Sequence, residues 1–277
     1  MDSSLSGQVA FVTGGGRGLG QAIAQCLATA GAHVVIAARN KAQLDETKAL
    51  ITQAGGHVHA FELDVTDQSA VKQVISDVEH LVDPIDLLIN NAGIGEPLGP
   101  IWEVDADAWW QCLNVNLRGV FLCTQAVLPH MIGRHRGRII NMASAASLRA
   151  FAYASAYVVS KTALVRFTEN LAVETQQHGI SAFAIEPGTI RTALTEYLYG
   201  SDAGRKWTPW FQKVFDEGRD VSTERMTELI LELASGKGDA LSGCMLSIYD
   251  DFDALIQQKE AIERDKLYTL RRVTSIS

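Results

Sequence analysis

Short apolar runs alternate with amphipathic stretches along most of the chain. The run "QVAFVT" (8–13) predicts a strand, and glycines follow it directly. Residues 18–30 read as a helix ended by Gly31, and "HVVIAA" (33–38) predicts the next strand. The rhythm continues with a helix over 41–54 closed by Gly55 and Gly56, a strand at 57–63 and a helix at 67–82. A strand at 85–90, a long helix at 107–131, a strand at 137–143, a helix at 155–178 and a strand at 180–186 complete it. Strands alternating with helices imply right-handed crossovers and a parallel sheet covered on both faces. No repeat or low-complexity linker interrupts the pattern, so the expectation is one doubly wound α/β domain across 1–277.

Two stretches depart from the rhythm. Residues 190–221 carry Tyr197, Tyr199, Trp207, Trp210 and Phe211 without clear periodicity, and are expected to form a lid, mobile until a ligand orders it. After a last strand, "CMLSI" (244–248), residues 250–277 read as a C-terminal helical extension. Asp250, Asp251 and Asp253 suit a helix N-terminus, where the dipole favours negative charge. Leu255, Ile256, Ile262 and Leu267 then fall on one stripe. That stripe must bury, either on its own domain or against a neighbouring subunit.

Composition narrows the class. Of 277 residues, 47% are hydrophobic and 20% charged, enough for a large core. A net charge of -8 argues against a nucleic-acid or anionic-membrane surface as the main role. No apolar run approaches the roughly 20 residues that a membrane helix needs, and "MDSSLSGQVA" lacks the pattern of a signal peptide, so a cytoplasmic protein is expected. The four cysteines are far apart and read as reduced and mostly buried. His57 and His59 share one side of a strand, but two ligands without a third make a plain strand edge the better reading than a metal site.

Candidate chemistry begins at "TGGGRGLG" (13–20), between the first strand and the first helix. Read as T-G-x-x-x-G-x-G, it uses Gly14, Gly18 and Gly20. Residues without Cβ let the backbone approach a pyrophosphate, and the helix N-terminus supplies amide donors and partial positive charge. At the end of the second strand, where NAD-selective proteins place an acid for the ribose 2′-hydroxyl, stand Ala38 and Arg39. Arg17 lies in the glycine turn. Two guanidiniums suit the 2′-phosphate of NADP, which an acid would repel.

In "SAYVVSK" (155–161), Tyr157 and Lys161 stand four apart, on one face of a helix. A lysine ammonium within about 4–6 Å favours a phenolate and is expected to lower the tyrosine pKa. Such a phenol donates a proton to a carbonyl oxygen, or takes one from an alcohol.

Three motifs in order resemble the short-chain dehydrogenase/reductase family: T-G-x-x-x-G-x-G at Thr13–Gly20, N-N-A-G at Asn90–Gly93, and Tyr-x-x-x-Lys at Tyr157–Lys161. The resemblance covers about residues 6–249. It implies a Rossmann-type fold, an NADP(H) cofactor and a small-molecule carbonyl or alcohol substrate. It also implies a homodimer or homotetramer, in which the C-terminal tail touches a neighbouring subunit. The same resemblance implies Asn116, Ser144, Tyr157 and Lys161 as the catalytic set. Ser144 would bond the substrate oxygen, with Ser147 as its rival. Asn116 would support a water linking Lys161 to solvent, with Asn114 as its rival. Lys161 would also hold the nicotinamide ribose.

For the cofactor, the resemblance implies Gly14, Arg17, Gly18, Leu19, Gly20 and Arg39 at the phosphates. Asp64 and Val65 would bracket the adenine, although Asp64 also reads as a helix cap. Asn91, Ala92 and Gly93 would line the adenosine ribose. Pro187, Gly188, Ile190 and Thr192 would run along the nicotinamide, with Thr192 bonding its carboxamide. Glu186, at the same strand end, departs from the pattern and invites a substrate contact. Leu148, Phe151, Tyr153 and the aromatic lid suggest an apolar or ring-bearing substrate. A nucleotide sensor without turnover, or an epimerase or dehydratase of the same fold, are the rival functions; keeping all four catalytic residues weighs against the sensor.

Overall fold

The computed structural model describes residues 5–272. Its centre is a seven-stranded, all-parallel sheet in the order β3-β2-β1-β4-β5-β6-β7. The strands are β1 Val9–Thr13, β2 His33–Ala38, β3 His57–Glu62, β4 Ile85–Asn90, β5 Gly137–Met142, β6 Ile180–Glu186 and β7 Met245–Ser247. Helices α1 Gly18–Thr29, α2 Lys41–Gln53 and α3 Gln68–Leu81 make the first crossovers. Helices α4 Ala106–Leu113 and α5 Val120–Arg134 connect β4 to β5, and α6 Ser155–Thr175 connects β5 to β6.

Strand alternation explains why both faces must be covered. Ala10 and Val12 of β1 enter one apolar cluster with Ile23, Leu27, Val34 and Ile36. Their neighbours Val9 and Phe11 enter a second cluster, on the other face, with Val35, Ile75, Val78 and Leu88. Every residue of β1 and β4 is buried, as central parallel strands require. The order reverses between β1 and β4, and the crevice at the carboxyl ends of these strands is where open α/β sheets bind ligands.

The long helix expected at 107–131 is interrupted. Asn114–Gly119 between α4 and α5 form a π-helical segment, a feature often found at functional sites. The expected lid segment is helical rather than aperiodic: α7 Ala193–Gly200, α8 Asp202–Trp207 and α9 Gln212–Asp216 are each too short to show a period in sequence. A further helix, α10 Glu224–Ala234, escaped the sequence reading and packs Met226, Ile230 and Leu233 into the first cluster.

The extension is two helices, α11 Phe252–Gln257 and α12 Lys259–Asp265, not one. Asp251 caps α11 by accepting from the Ala254 amide at 3.0 Å. Leu255 and Ile262 are buried in the protomer's own core, while Leu267 is 47% exposed and leaves the stripe. The stripe therefore packs on its own domain. Among the described residues no helix is long and apolar enough to cross a membrane, and no cluster of metal-ligating side chains occurs. All four cysteines are free, and Cys112, Cys123 and Cys244 are buried.

Candidate active site

A single cleft of about 700 Å³ runs along the carboxyl ends of the strands and gathers most of the residues singled out above. It is lined by Gly14, Arg17, Gly18, Leu19, Gly20, Arg39, Asp64, Val65, Asn91, Ala92, Gly93, Ser144, Tyr157, Lys161, Pro187, Gly188, Ile190 and Thr192. Ala38, Asn40 and Gln43 extend it at the β2 end.

The glycine turn is shaped by backbone contact. A Cβ on Gly20 would overlap the Gly14 carbonyl oxygen, and Gly14 itself has φ +67. Arg17 stands at the N-cap of α1 with no side-chain cap, so the first-turn amides are left without a side-chain acceptor, beside the cleft. Asn91 braces this turn: its Nδ2 donates to the Thr13 carbonyl at 2.9 Å, while its own amide donates to Thr13 Oγ1 at 3.0 Å. Asn90 is a buried cross-strand peg, donating to Asn141 Oδ1 at 2.9 Å. Arg17 and Arg39 are exposed and pair with no carboxylate among the described residues. Asp64 is not the cap of α3. Its Oδ1 accepts from the amide and hydroxyl of Thr66, and Asp67 caps the helix.

At the other end, β5 delivers Ser144, whose Oγ accepts from the Ala146 amide at 3.2 Å. The Ser144 side chain stands close enough to the Tyr157 hydroxyl to lower its pKa. Its rival Ser147 is buried and off the cleft, with no partner for its hydroxyl. Asn116 sits in the π segment and is fully engaged. Its Oδ1 accepts from the Ile94 amide at 2.8 Å, and its Nδ2 donates to the Ile94 carbonyl at 2.9 Å and to Ser160 Oγ at 3.0 Å. Asn114 instead bonds Gln111 and Arg118 on the exposed side. Ser160 donates to the Tyr157 carbonyl at 2.7 Å, which ties the π segment to the helix carrying the tyrosine.

Lys161 is buried, and its Nζ donates to the Met142 carbonyl at 2.7 Å and lies 5.8 Å from the Tyr157 ring centre. Burial pushes its pKa down to about 8. The expected lowering of Tyr157 by this lysine does not occur in the protein alone. Burial raises the phenol, Ser144 offsets part of that, and Cys112 and Glu186 raise it further. Desolvation of the buried phenol is the largest of these effects.

Glu186 is occupied by the fold. Its carboxylate accepts from the Gly188 amide at 3.0 Å and from the Ser247 hydroxyl, and the residue does not line the cleft. Thr192 caps α7 in a reciprocal arrangement with Thr195 while lining the cleft. Beside the site, Tyr153 packs against Trp207 in a tilted pair at 4.9 Å and Phe151 stacks on Trp210 at 5.5 Å, seating the segment 207–210 on the loop before α6. Sequence reasoning missed this seat, because neither residue of a ring pair is near its partner in the chain.

The family model described as short chain dehydrogenase matches residues 8–202. The chain belongs to the short-chain dehydrogenase/reductase family, as its sheet order and cleft indicate. It is 38% identical over 192 residues to a short chain dehydrogenase of Pseudocercospora fijiensis, a match covering 69% of this chain and 62% of that one. It is 35% identical to gluconate 5-dehydrogenase of Gluconobacter oxydans, across 88% of this chain and 94% of the relative. The structure of a gluconate 5-dehydrogenase from Burkholderia cenocepacia in complex with NADP and tartrate superposes with a TM-score of 0.79. That protein is 33% identical, with 88% of this chain and 94% of that one covered.

Proposed function

We propose that the protein is an NADP(H)-dependent oxidoreductase that interconverts a carbonyl and a secondary alcohol. The observation that carries this is the convergence of Ser144, Tyr157 and Lys161 in the same cleft as an uncapped helix N-terminus and two unpaired arginines. The residues present fit the cofactor. The glycine turn admits a diphosphate only because no Cβ fills it, and Gly93 has no side chain to block the approach to Lys161 Nζ. Arg17 and Arg39 would hold a 2′-phosphate, and the related gluconate 5-dehydrogenase structure is an NADP complex. When bound, the nicotinamide supplies or accepts the hydride.

Each side chain has a distinct task. Ser144 Oγ bonds and orients the substrate oxygen. Tyr157 gives its proton to that oxygen during reduction and takes it back during oxidation. Burial raises the phenol and so favours its protonated form, the form that donates during reduction. Lys161 holds ribose hydroxyls, and Asn116 fixes the π segment beside it. The aromatic pairs on 151–153 and 207–210 favour a substrate with apolar or ring surface, and 190–221 serves as the lid. The relatives named for gluconate place polyhydroxy acids on the same substrate panel. A panel of carbonyls and alcohols, followed by NADPH absorbance, tests the proposal. Turnover of at least one pair with NADPH is expected, and nucleotide binding without any turnover would overturn it in favour of a sensor.

A further inference from the structure

The last described residues cross behind the catalytic floor. After α12 the chain turns at two non-glycine residues in the left-handed region, Lys266 (φ 53) and Tyr268 (φ 57). Such residues persist where the surroundings hold them. Here the Leu267 amide donates to the Ile262 carbonyl at 3.0 Å, and the Tyr268 carbonyl accepts from the Met245 amide at 2.8 Å. That second bond covers the outer edge of β7, which as the last strand of the sheet has no further strand to pair with.

Leu270 is then clamped on both sides of its peptide unit. Its amide donates to Glu169 Oε1 at 2.6 Å, and its carbonyl accepts from Arg166 Nη2 at 2.5 Å. The Glu169 carboxylate, nearly buried on α6, also takes Arg166 and, at 3.2 Å, Arg271. A buried carboxylate is tolerable when it is paired and bonded in this way.

What the clamp holds in place is the Leu270 side chain. It packs against Ala143, Val165, Ala184 and Met245, a cluster separate from the two main cores. Ala143 lies between Met142, whose carbonyl binds Lys161, and Ser144, and it lines the cleft. Ala143 and Ala184 are small, so the space behind the floor is filled by a residue more than a hundred positions away in sequence. We propose that Leu270, fixed by Glu169, Arg166 and Arg271, is a positioning residue: it backs the Met142–Ser144 floor and so sets the geometry of Ser144 and Lys161. This rests on the proposed function for its catalytic consequence, but not for its structural one.

The test compares full-length wild type with Leu270→Ala, Leu270→Met and Glu169→Gln. Hydrogen exchange of residues 140–148 needs no substrate. It should speed at least tenfold in Leu270→Ala and severalfold in Glu169→Gln, stay near wild type in Leu270→Met, and leave the β1–β2 end unchanged. On a substrate found by the panel, kcat should fall at least tenfold in Leu270→Ala with KM and NADPH affinity within about threefold, and Leu270→Met should restore it. Unchanged exchange at 140–148 in a folded Leu270→Ala would overturn the inference. So would equal losses of kcat, KM and NADPH affinity, which mark general destabilisation. Should Leu270→Ala fail to fold, Glu169→Gln decides by the same exchange readout. Wild type that turns over nothing refutes the proposed function alone, and exchange still decides the role of Leu270.

Discussion

The glycine turn at 13–20 and the segment at 190–221 face the same cleft and are built by opposite means. The turn is made of backbone. Its positions are fixed by the absence of side chains, by φ values of +67 at Gly14 and +55 at Gly18, and by the Thr13–Asn91 brace. The segment at 190–221 is made of side chains. Three helices of eight residues or fewer are held by ring pairs, by Arg191 over Phe215 at 4.0 Å, and by the Tyr199–Asp216 hydrogen bond. A backbone-built site tolerates almost no change and suits an invariant ligand part such as a diphosphate. A side-chain-built wall can be repacked without loss of fold, which suits a variable substrate.

The largest effect expected from that contrast comes from one methyl group placed in each region. Gly20→Ala puts a Cβ onto the Gly14 carbonyl, and NADPH affinity measured by calorimetry should fall by about 100-fold or more, because backbone cannot move aside. Gly200→Ala, with nothing near the new Cβ, should change stability by less than about 1 kcal/mol in denaturant titration. Equal effects at the two glycines would erase the distinction.

Next in size is cofactor choice. Replacing Arg17 and Arg39 together by Ala should shrink the NADPH-over-NADH preference by about 10–100-fold, since each charge-assisted bond is worth about 1.5–3 kcal/mol before solvent screening. NADH binding should be nearly unchanged. A preference that survives the double substitution would relocate the 2′-phosphate site.

pH separates the two directions of the reaction. Tyr157 is raised, so the phenolate that oxidation needs is scarce at neutrality, and the oxidation rate should climb about tenfold per pH unit on the acid side of the phenol pKa. Lys161 is lowered to about 8, so NADPH affinity should weaken as pH rises through that value and its ammonium discharges. An oxidation rate flat from pH 6 to 9 would mean that the bound complex lowers the phenol below this whole range.

The smallest effect is expected in the segment at 190–221. Trp207→Ala removes the tilted ring pair with Tyr153, worth about 0.5–1.5 kcal/mol beyond lost area. It should raise KM severalfold for ring-bearing substrates while leaving NADPH affinity within twofold. Hydrogen exchange at 190–221 that is equally slow with and without ligand would show a fixed wall rather than a lid.

The same division governs how much could be read from sequence. Backbone-built features were legible, because glycines at fixed spacing and apolar runs are local. Every strand of the sheet lies within a residue or two of its expected bounds, and the residues from Gly14 to Thr192 named for the cofactor line one cleft. Features that depend on distant partners were not. The Glu186 carboxylate reads as free for substrate in sequence, yet Ser247, sixty-one positions on, donates to it. The raised phenol of Tyr157 depends on burial that no i, i+4 spacing reveals. Short helices such as α8 carry too few turns to show a period, and α10 followed an aperiodic stretch that hid its start.

Tyr157→Phe tests the proposed chemistry most directly. The substitution removes one hydroxyl and keeps the ring, so packing on α6 is preserved. NADPH affinity by calorimetry and turnover of the best panel substrate are measured on the same preparation. The expected result is turnover lowered by about 10²–10⁴-fold, the usual worth of a positioned proton donor, with NADPH affinity within about twofold of wild type. Turnover within tenfold of wild type, at unchanged NADPH affinity, would contradict the assignment of Tyr157 as the proton donor.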